Sequence, residues 1–239
     1  MPKETDATKE RVSLVKDVRL SRRGLLRTAA ITGAAVAVVV HASGTAQAAP
    51  SVGGRVPTWR DSTSLNGWPV LKQTGWHSVE GSGQRVKLAD GAAAVLLTHV
   101  ARRFNYEIDQ LRNGEIQGHL ESLILSEPYE SNYLSGSAIA IRPRAYPVGV
   151  RGGLYPTELV VVRDILAELE GAVSWGGDFD RPKESHFEVA HPPGHRAVEA
   201  AVRRVLSWQN GPGGEGAGTV NAFDSARRAK AKEFNRRGR

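Results

Sequence analysis

The chain has 239 residues, with 32 Lys and Arg against 25 Asp and Glu, and it contains no cysteine. The lack of cysteine excludes disulfides, thiolate chemistry, and zinc or iron–sulfur sites built on cysteine ligands. The net charge of +7 comes from the two ends, because residues 49–225 hold 17 Lys and Arg and 20 Asp and Glu. The high overall pI is therefore no argument for nucleic acid, and we expect no nucleic-acid partner.

The first 48 residues have the features of a twin-arginine export signal. Arg22 and Arg23 precede an apolar run of about 12 residues, and a small-x-small sequence ends at Ala46 and Ala48. That run is shorter than the roughly 20 residues that span a bilayer. We therefore expect the twin-arginine translocase as a partner during export, and a secreted or wall-associated protein. An amphipathic or an uncleaved N-terminal helix is the alternative.

The remaining chain divides by composition into a tether, one domain and a tail. Residues 49–65 are rich in Gly, Pro and Ser, which is typical of a tether. Residues 66–209 are enough for one domain with a core. Residues 210–239 begin with a Gly-rich linker and end in a basic tail that is helix-forming or disordered. The linker lacks the Gly-Lys-Ser/Thr ending of a phosphate-binding loop.

Within the domain, short strands alternate with amphipathic helices. The predicted strands are residues 85–88, 137–141, 172–175 and 186–189. The predicted helices are residues 92–103 or beyond, with Asp90 as N-cap, residues 157–170 after Pro156, and residues 196–208. This order predicts an α+β domain, with a small, mostly antiparallel sheet and helices on one side.

Two segments of this domain carry a recognisable motif. The first, residues 131–140, reads SNYLSGSAIA, and the second, residues 175–189, reads WGGDFDRPKESHFEV. Together they resemble the VanY-type D-alanyl-D-alanine carboxypeptidases, which are zinc peptidases of the Hedgehog/DD-peptidase fold. In that family the segments read S-x-H-x-x-G-x-A-x-D and W-G-G-D, followed by a spacer, an acid, two residues and H-F-E. The resemblance extends from about residue 66 to residue 193.

The resemblance implies four site positions, of which only one has the family's residue. Tyr133 and Ala140 stand where the family has the first two zinc ligands, Lys183 stands at the general base, and His186 is the retained third ligand. A catalytic zinc needs about three protein ligands. Ala140 offers no lone pair, and the phenol of Tyr133 has an ordinary pKa of about 10. Charged Lys183 cannot accept a proton and repels a dication.

Other side chains could replace the lost groups. Glu184 could act as base if a bulge turned it inward, since neighbouring strand residues point to opposite faces. His119, His191 and His195 are the other candidate ligands. The interpretation favoured for His186 itself is a histidine packed beside Trp175 and Phe187, without a bound metal.

These residues favour one function over two others. We expect an exported, cell-wall-related protein with a degenerate carboxypeptidase-like domain, without a cofactor, that binds peptidoglycan peptides or another wall component. The alternative is an active zinc carboxypeptidase or endopeptidase on peptidoglycan stem peptides, with reassigned ligands. A third class is an adaptor that associates with the wall or membrane through its basic tail.

Overall fold

The computed structural model describes residues 58–210 and 220–237. The predicted export signal, most of the predicted tether and the Gly-rich linker lie outside these residues. None of the helices in the described ranges is both long enough and apolar enough to cross a bilayer.

The described residues form an α+β structure with small antiparallel sheets, which confirms the predicted class. The strands are β1 (Gly75–Val79), β2 (Gln84–Leu88), β3 (Ile116–Gln117), β4 (Ala138–Ile141), β5 (Val173–Trp175) and β6 (His186–Val189). The α-helices are α1 (Ala92–Glu107), α2 (Pro156–Glu168), α3 (Arg196–Gln209) and α4 (Ser225–Arg237). Two 3-10 helices span Pro128–Tyr133 and Gly176–Asp178.

The larger sheet brings together strands that are distant in sequence. Strands β1 and β2 form an antiparallel hairpin, and the other four strands follow the order β3-β4-β6-β5, with every pair antiparallel. The last strand, β6, therefore lies between β4 and β5. In this register Ala140 pairs with His186, and Trp175 pairs with Phe187.

The two faces of this sheet have different surroundings, because successive side chains of a strand point to opposite sides. Ile139 and Phe187 belong to the main core, which they share with buried residues of α1, α2 and α3. Ala138 and Ala140 belong to a smaller, separate cluster with Tyr133. His186 alternates with Phe187 and so points to this second side, away from the helical core.

The start of α1 differs from the prediction. The helix begins after Gly91, which has a φ of 82° and provides no side-chain cap. Asp90 is not the N-cap, since its carboxylate lies 3.0 Å from Nε2 of His77. The carboxylate that the sequence places at the helix end therefore contacts His77 on β1 instead.

Both ends of the described chain are bound to the domain. Thr58 forms an isolated bridge with Ile124, and Ser64 is buried, although both lie in the predicted tether. The basic tail is the helix α4, and it packs on α2. Arg227 of α4 pairs with Asp164 of α2 at 2.7 Å. Ion pairing therefore holds the tail against the domain.

Candidate functional site

The four predicted site positions meet on the second face of the sheet. Ala140 and His186 are partners across β4 and β6, while Tyr133 ends a 3-10 helix that covers this face. The ammonium group of Lys183 lies 4.8 Å from the centre of the Tyr133 ring. Residues up to 53 positions apart in the sequence therefore form one cluster, which we call the His186 cluster: Tyr133, Ala140, Lys183 and His186.

Both ring nitrogens of His186 are used within the protein. Nδ1 lies 2.7 Å from the hydroxyl of Tyr133, and Nε2 lies 2.7 Å from Oε2 of Glu188. An ionised carboxylate only accepts, so in the neutral imidazole Nε2–H donates to Glu188 and Nδ1 accepts from the phenol. Burial and then the negative charge of Glu130 raise the pKa of Tyr133 well above its usual value, which keeps the phenol protonated as donor.

The carboxylate of Glu188 connects His186 to a longer buried network. The same Oε2 accepts from the side-chain amide of Asn132 at 2.6 Å. The amide oxygen of Asn132 accepts from the backbone N–H of Asn66 at 3.1 Å, and the side chain of Asn66 donates to Ser137 at 2.8 Å. Each polar group is satisfied by a neighbour, as buried polar groups require.

Aromatic rings enclose the imidazole on the remaining sides. The ring centres of Tyr129, Tyr133 and Phe179 lie 5.0, 5.2 and 5.8 Å from that of His186. The relative exposure of His186 is 0%. The imidazole is thus packed with no open side toward solvent. The expected neighbours Trp175 and Phe187 are not the ones observed, because both belong to the main core on the opposite face of the sheet.

Lys183, at the position of the family's base, forms a buried ion pair. Its Nζ lies 2.7 Å from Oε1 of Glu130, and both side chains are almost fully buried. Burial alone would raise the pKa of Glu130, but the hydrogen bond and the charge from Lys183 lower it. The other oxygen of Glu130 accepts from the backbone N–H groups of Ser126 and Glu127. Lys183 is therefore the ion-pair partner of Glu130, and an ammonium group has no lone pair with which to accept a proton.

Glu184, the candidate replacement base, holds a loop. Its two carboxylate oxygens accept from the backbone N–H groups of Gly152, Gly153 and Leu154 at 2.7, 2.7 and 3.2 Å. Its side chain is buried in these contacts. The carboxylate of Glu184 therefore orders the loop at residues 152–154.

Each of the two motif segments has a glycine at a point where another part of the backbone lies very close. Gly136 has a φ of +67°, and a Cβ at this position would lie 2.6 Å from the backbone nitrogen of Ala89. A Cβ on Gly176 would lie 2.5 Å from the carbonyl oxygen of Lys183. Both glycines let backbone segments pack around the His186 cluster at distances that a side chain would prevent.

The other candidate ligands have different surroundings. Nε2 of His119 lies 2.8 Å from the carbonyl oxygen of Leu71. The rings of His191 and His195 stack with centres 4.0 Å apart, and Nδ1 of His195 accepts from the backbone of Ala197. Within residues 58–210 and 220–237, no three His, Asp or Glu side chains are grouped as a metal site would need.

The residues of the His186 cluster do not fit a zinc ion. His186 has both nitrogens engaged, Ala140 has no donor atom, and the phenol of Tyr133 is held protonated. Zinc sites in proteins take about three such donors, each deprotonated, with one open position for water. The donor set here therefore gives no basis for a metal-dependent step.

Glu130, Glu188 and Tyr129 contact the His186 cluster, although the sequence predicts no role for them. Glu188 could have been found from the alternation of the strand, since residues two apart share a face. Glu130 and Tyr129 precede the first motif segment, and no local pattern joins them to Lys183 or His186.

A groove of about 580 Å³ lies beside the cluster. It is lined by Trp59, Val70, Leu123, Ile124 and Leu134, together with the acids Asp61 and Glu121. Leu123 also packs against the cluster of Tyr133, Ala138 and Ala140. The groove therefore adjoins the small apolar cluster to which Tyr133 and Ala140 belong, and Ile124 is 72% exposed there.

In comparisons with known proteins, the chain matches no family model, no curated protein and no solved structure.

Proposed function

We propose that this protein is an exported, non-catalytic relative of the D-alanyl-D-alanine carboxypeptidases that acts by binding a cell-wall component. The observation that carries the proposal is the double engagement of His186 by Tyr133 and Glu188 inside a closed aromatic shell. An imidazole in this state neither binds zinc nor reaches a substrate. The Hedgehog/DD-peptidase fold is part of the same proposal. Support comes from the meeting of Tyr133, Ala140, Lys183 and His186 at one place.

The groove beside the cluster is the surface that we propose for binding. It combines an aromatic ring and aliphatic walls with the carboxylate of Asp61. Such a surface suits a peptide with small apolar side chains and an amino group, and peptidoglycan stem peptides contain both. Its volume is within the roughly 300–1,000 Å³ of small-molecule sites.

The first test measures zinc and hydrolysis in the purified full chain. Elemental analysis should find no stoichiometric zinc, and peptides ending in D-Ala-D-Ala should not be cleaved. The variant His186→Ala should leave both results unchanged. About one zinc per chain that is lost in this variant, together with cleavage, would instead establish the alternative, an active zinc peptidase.

The second test measures binding to purified peptidoglycan and to its soluble stem peptides. Trp59→Ala should weaken binding about tenfold or more, as aromatic anchors at binding sites do. Trp76→Ala is the matched control, because Trp76 is 54% exposed and does not line the groove. Equal loss in both variants, or no binding by the unaltered protein, would contradict the proposed surface.

A further inference from the structure

A second groove, between α2 and α4, has an apolar floor. Its volume is about 530 Å³. The floor is made of Pro156, Leu159, Val160, Ala222 and Ala231. Aliphatic surface of this kind in a concave site favours an apolar ligand segment, since its burial removes that surface from water.

Three cations of α4 stand along one wall of this groove. Arg228, Lys232 and Arg236 all line it, and their spacing of four residues places them on one face of the helix. All three are exposed, and within residues 58–210 and 220–237 none has an Asp or Glu partner. A ligand that complements both features would carry a negative charge, to pair with these cations, and an apolar chain, to cover the floor.

Other cations of α4 fix the helix in this orientation. Arg227 pairs with Asp164, and Lys230 pairs with Glu170 at 3.2 Å. Asp164 is almost fully buried, whereas the side chain of Arg227 is 31% exposed. The helix therefore uses its paired cations for docking and leaves the groove cations available for a ligand.

We propose that the α2–α4 groove binds one anionic lipid, with its acyl chain on the apolar floor and its phosphate among Arg228, Lys232 and Arg236. A neutral apolar ligand would leave the three cations unused, and a polyanion without a chain would leave the floor exposed to water. The proposal is independent of the proposed wall-binding function, because the groove shares no lining residue with the surface beside the His186 cluster.

The test is calorimetric titration of the full chain with lysophosphatidylglycerol below its micelle concentration. We expect one lipid per chain, and much weaker binding of lysophosphatidylcholine with the same acyl chain. The triple variant Arg228→Gln/Lys232→Gln/Arg236→Gln should weaken binding about a hundredfold, since each cation near an anionic lipid contributes about fivefold. Residues 1–57 are the same in every variant, so any lipid binding by that segment is equal in all of them. A difference in affinity between variants therefore measures binding in the groove.

The matched control removes the same charge elsewhere. Lys72→Gln/Arg112→Gln/Arg144→Gln alters three exposed cations that do not line the groove, and it should bind lipid normally. Val160→Asp places a carboxylate on the floor and should also weaken binding. Equal effects of the two triple variants, or equal binding of both lipids, would overturn the proposal. It would also fail if inorganic phosphate bound as tightly as the anionic lipid.

Discussion

The hydroxyl of Tyr133 and Nδ1 of His186 lie 2.7 Å apart inside the protein. The resemblance to zinc peptidases makes these two positions metal ligands, yet here they bind each other. Nε2 of His186 is engaged in the same way by Glu188. The two hydrogen bonds give the buried imidazole a structural role.

Tyr133→Phe should lower the free energy of unfolding by about 1–3 kcal/mol, because it leaves buried Nδ1 without a donor. Urea unfolding followed by circular dichroism measures this change. Tyr106→Phe is the control, since Tyr106 is 52% exposed and its variant should be nearly neutral. Equal stability of Tyr133→Phe and the unaltered protein would mean that the hydrogen bond contributes nothing.

Lys183→Met should be more damaging, because it leaves the carboxylate of Glu130 buried without its partner. Breaking a buried ion pair in this way costs about 3–5 kcal/mol. The double variant Lys183→Met/Glu130→Gln should recover part of the loss, since the uncompensated charge is gone. Additive effects of the two substitutions in a double-mutant cycle would show that the pair is not coupled.

Restoring the family's ligands should create a zinc site if the proposed fold is right. In Tyr133→His/Ala140→Asp, two new donors join His186, because Tyr133 contacts it and Ala140 is its partner across the sheet. We expect about one zinc per chain and a melting temperature that rises with zinc concentration. Adding His186→Ala should abolish both effects. A folded double variant without zinc affinity would count against the resemblance.

Stability should also depend on pH through Glu168. Burial alone would raise its pKa, but the neighbouring His99 imidazole and the charges of Arg103 and Arg227 lower it to about 2 from an ordinary 4.5. A lowered carboxyl pKa stabilises the fold above pH 4.5, and this contribution, about 3 kcal/mol, is lost as the pH falls toward 2. Glu168→Gln should flatten the unfolding free energy over this range. An unchanged pH profile would contradict the assignment.

The local spacing of apolar residues was enough to predict much of the secondary structure. Strand β6 occurs at the predicted residues 186–189, and the helical spacing of apolar residues located α1, α2 and α3 to within a few residues at each end. Such periodicity is a local property, because side chains repeat every 3.6 residues in a helix and every two in a strand. It could not show that Asp90 pairs with His77 on β1, since that contact depends on how the hairpin packs.

The sequence by itself determined the α+β class and the identity of the residues at the four site positions. Only the tertiary structure decided what those residues do. Strand order places β6 beside β4, and the 3-10 helix brings Tyr133 over His186 and Glu130 to Lys183. These partners lie 53 residues apart in the chain. No local pattern encodes such pairs, because hydrogen bonds and ion pairs across a fold depend on distances that only packing sets.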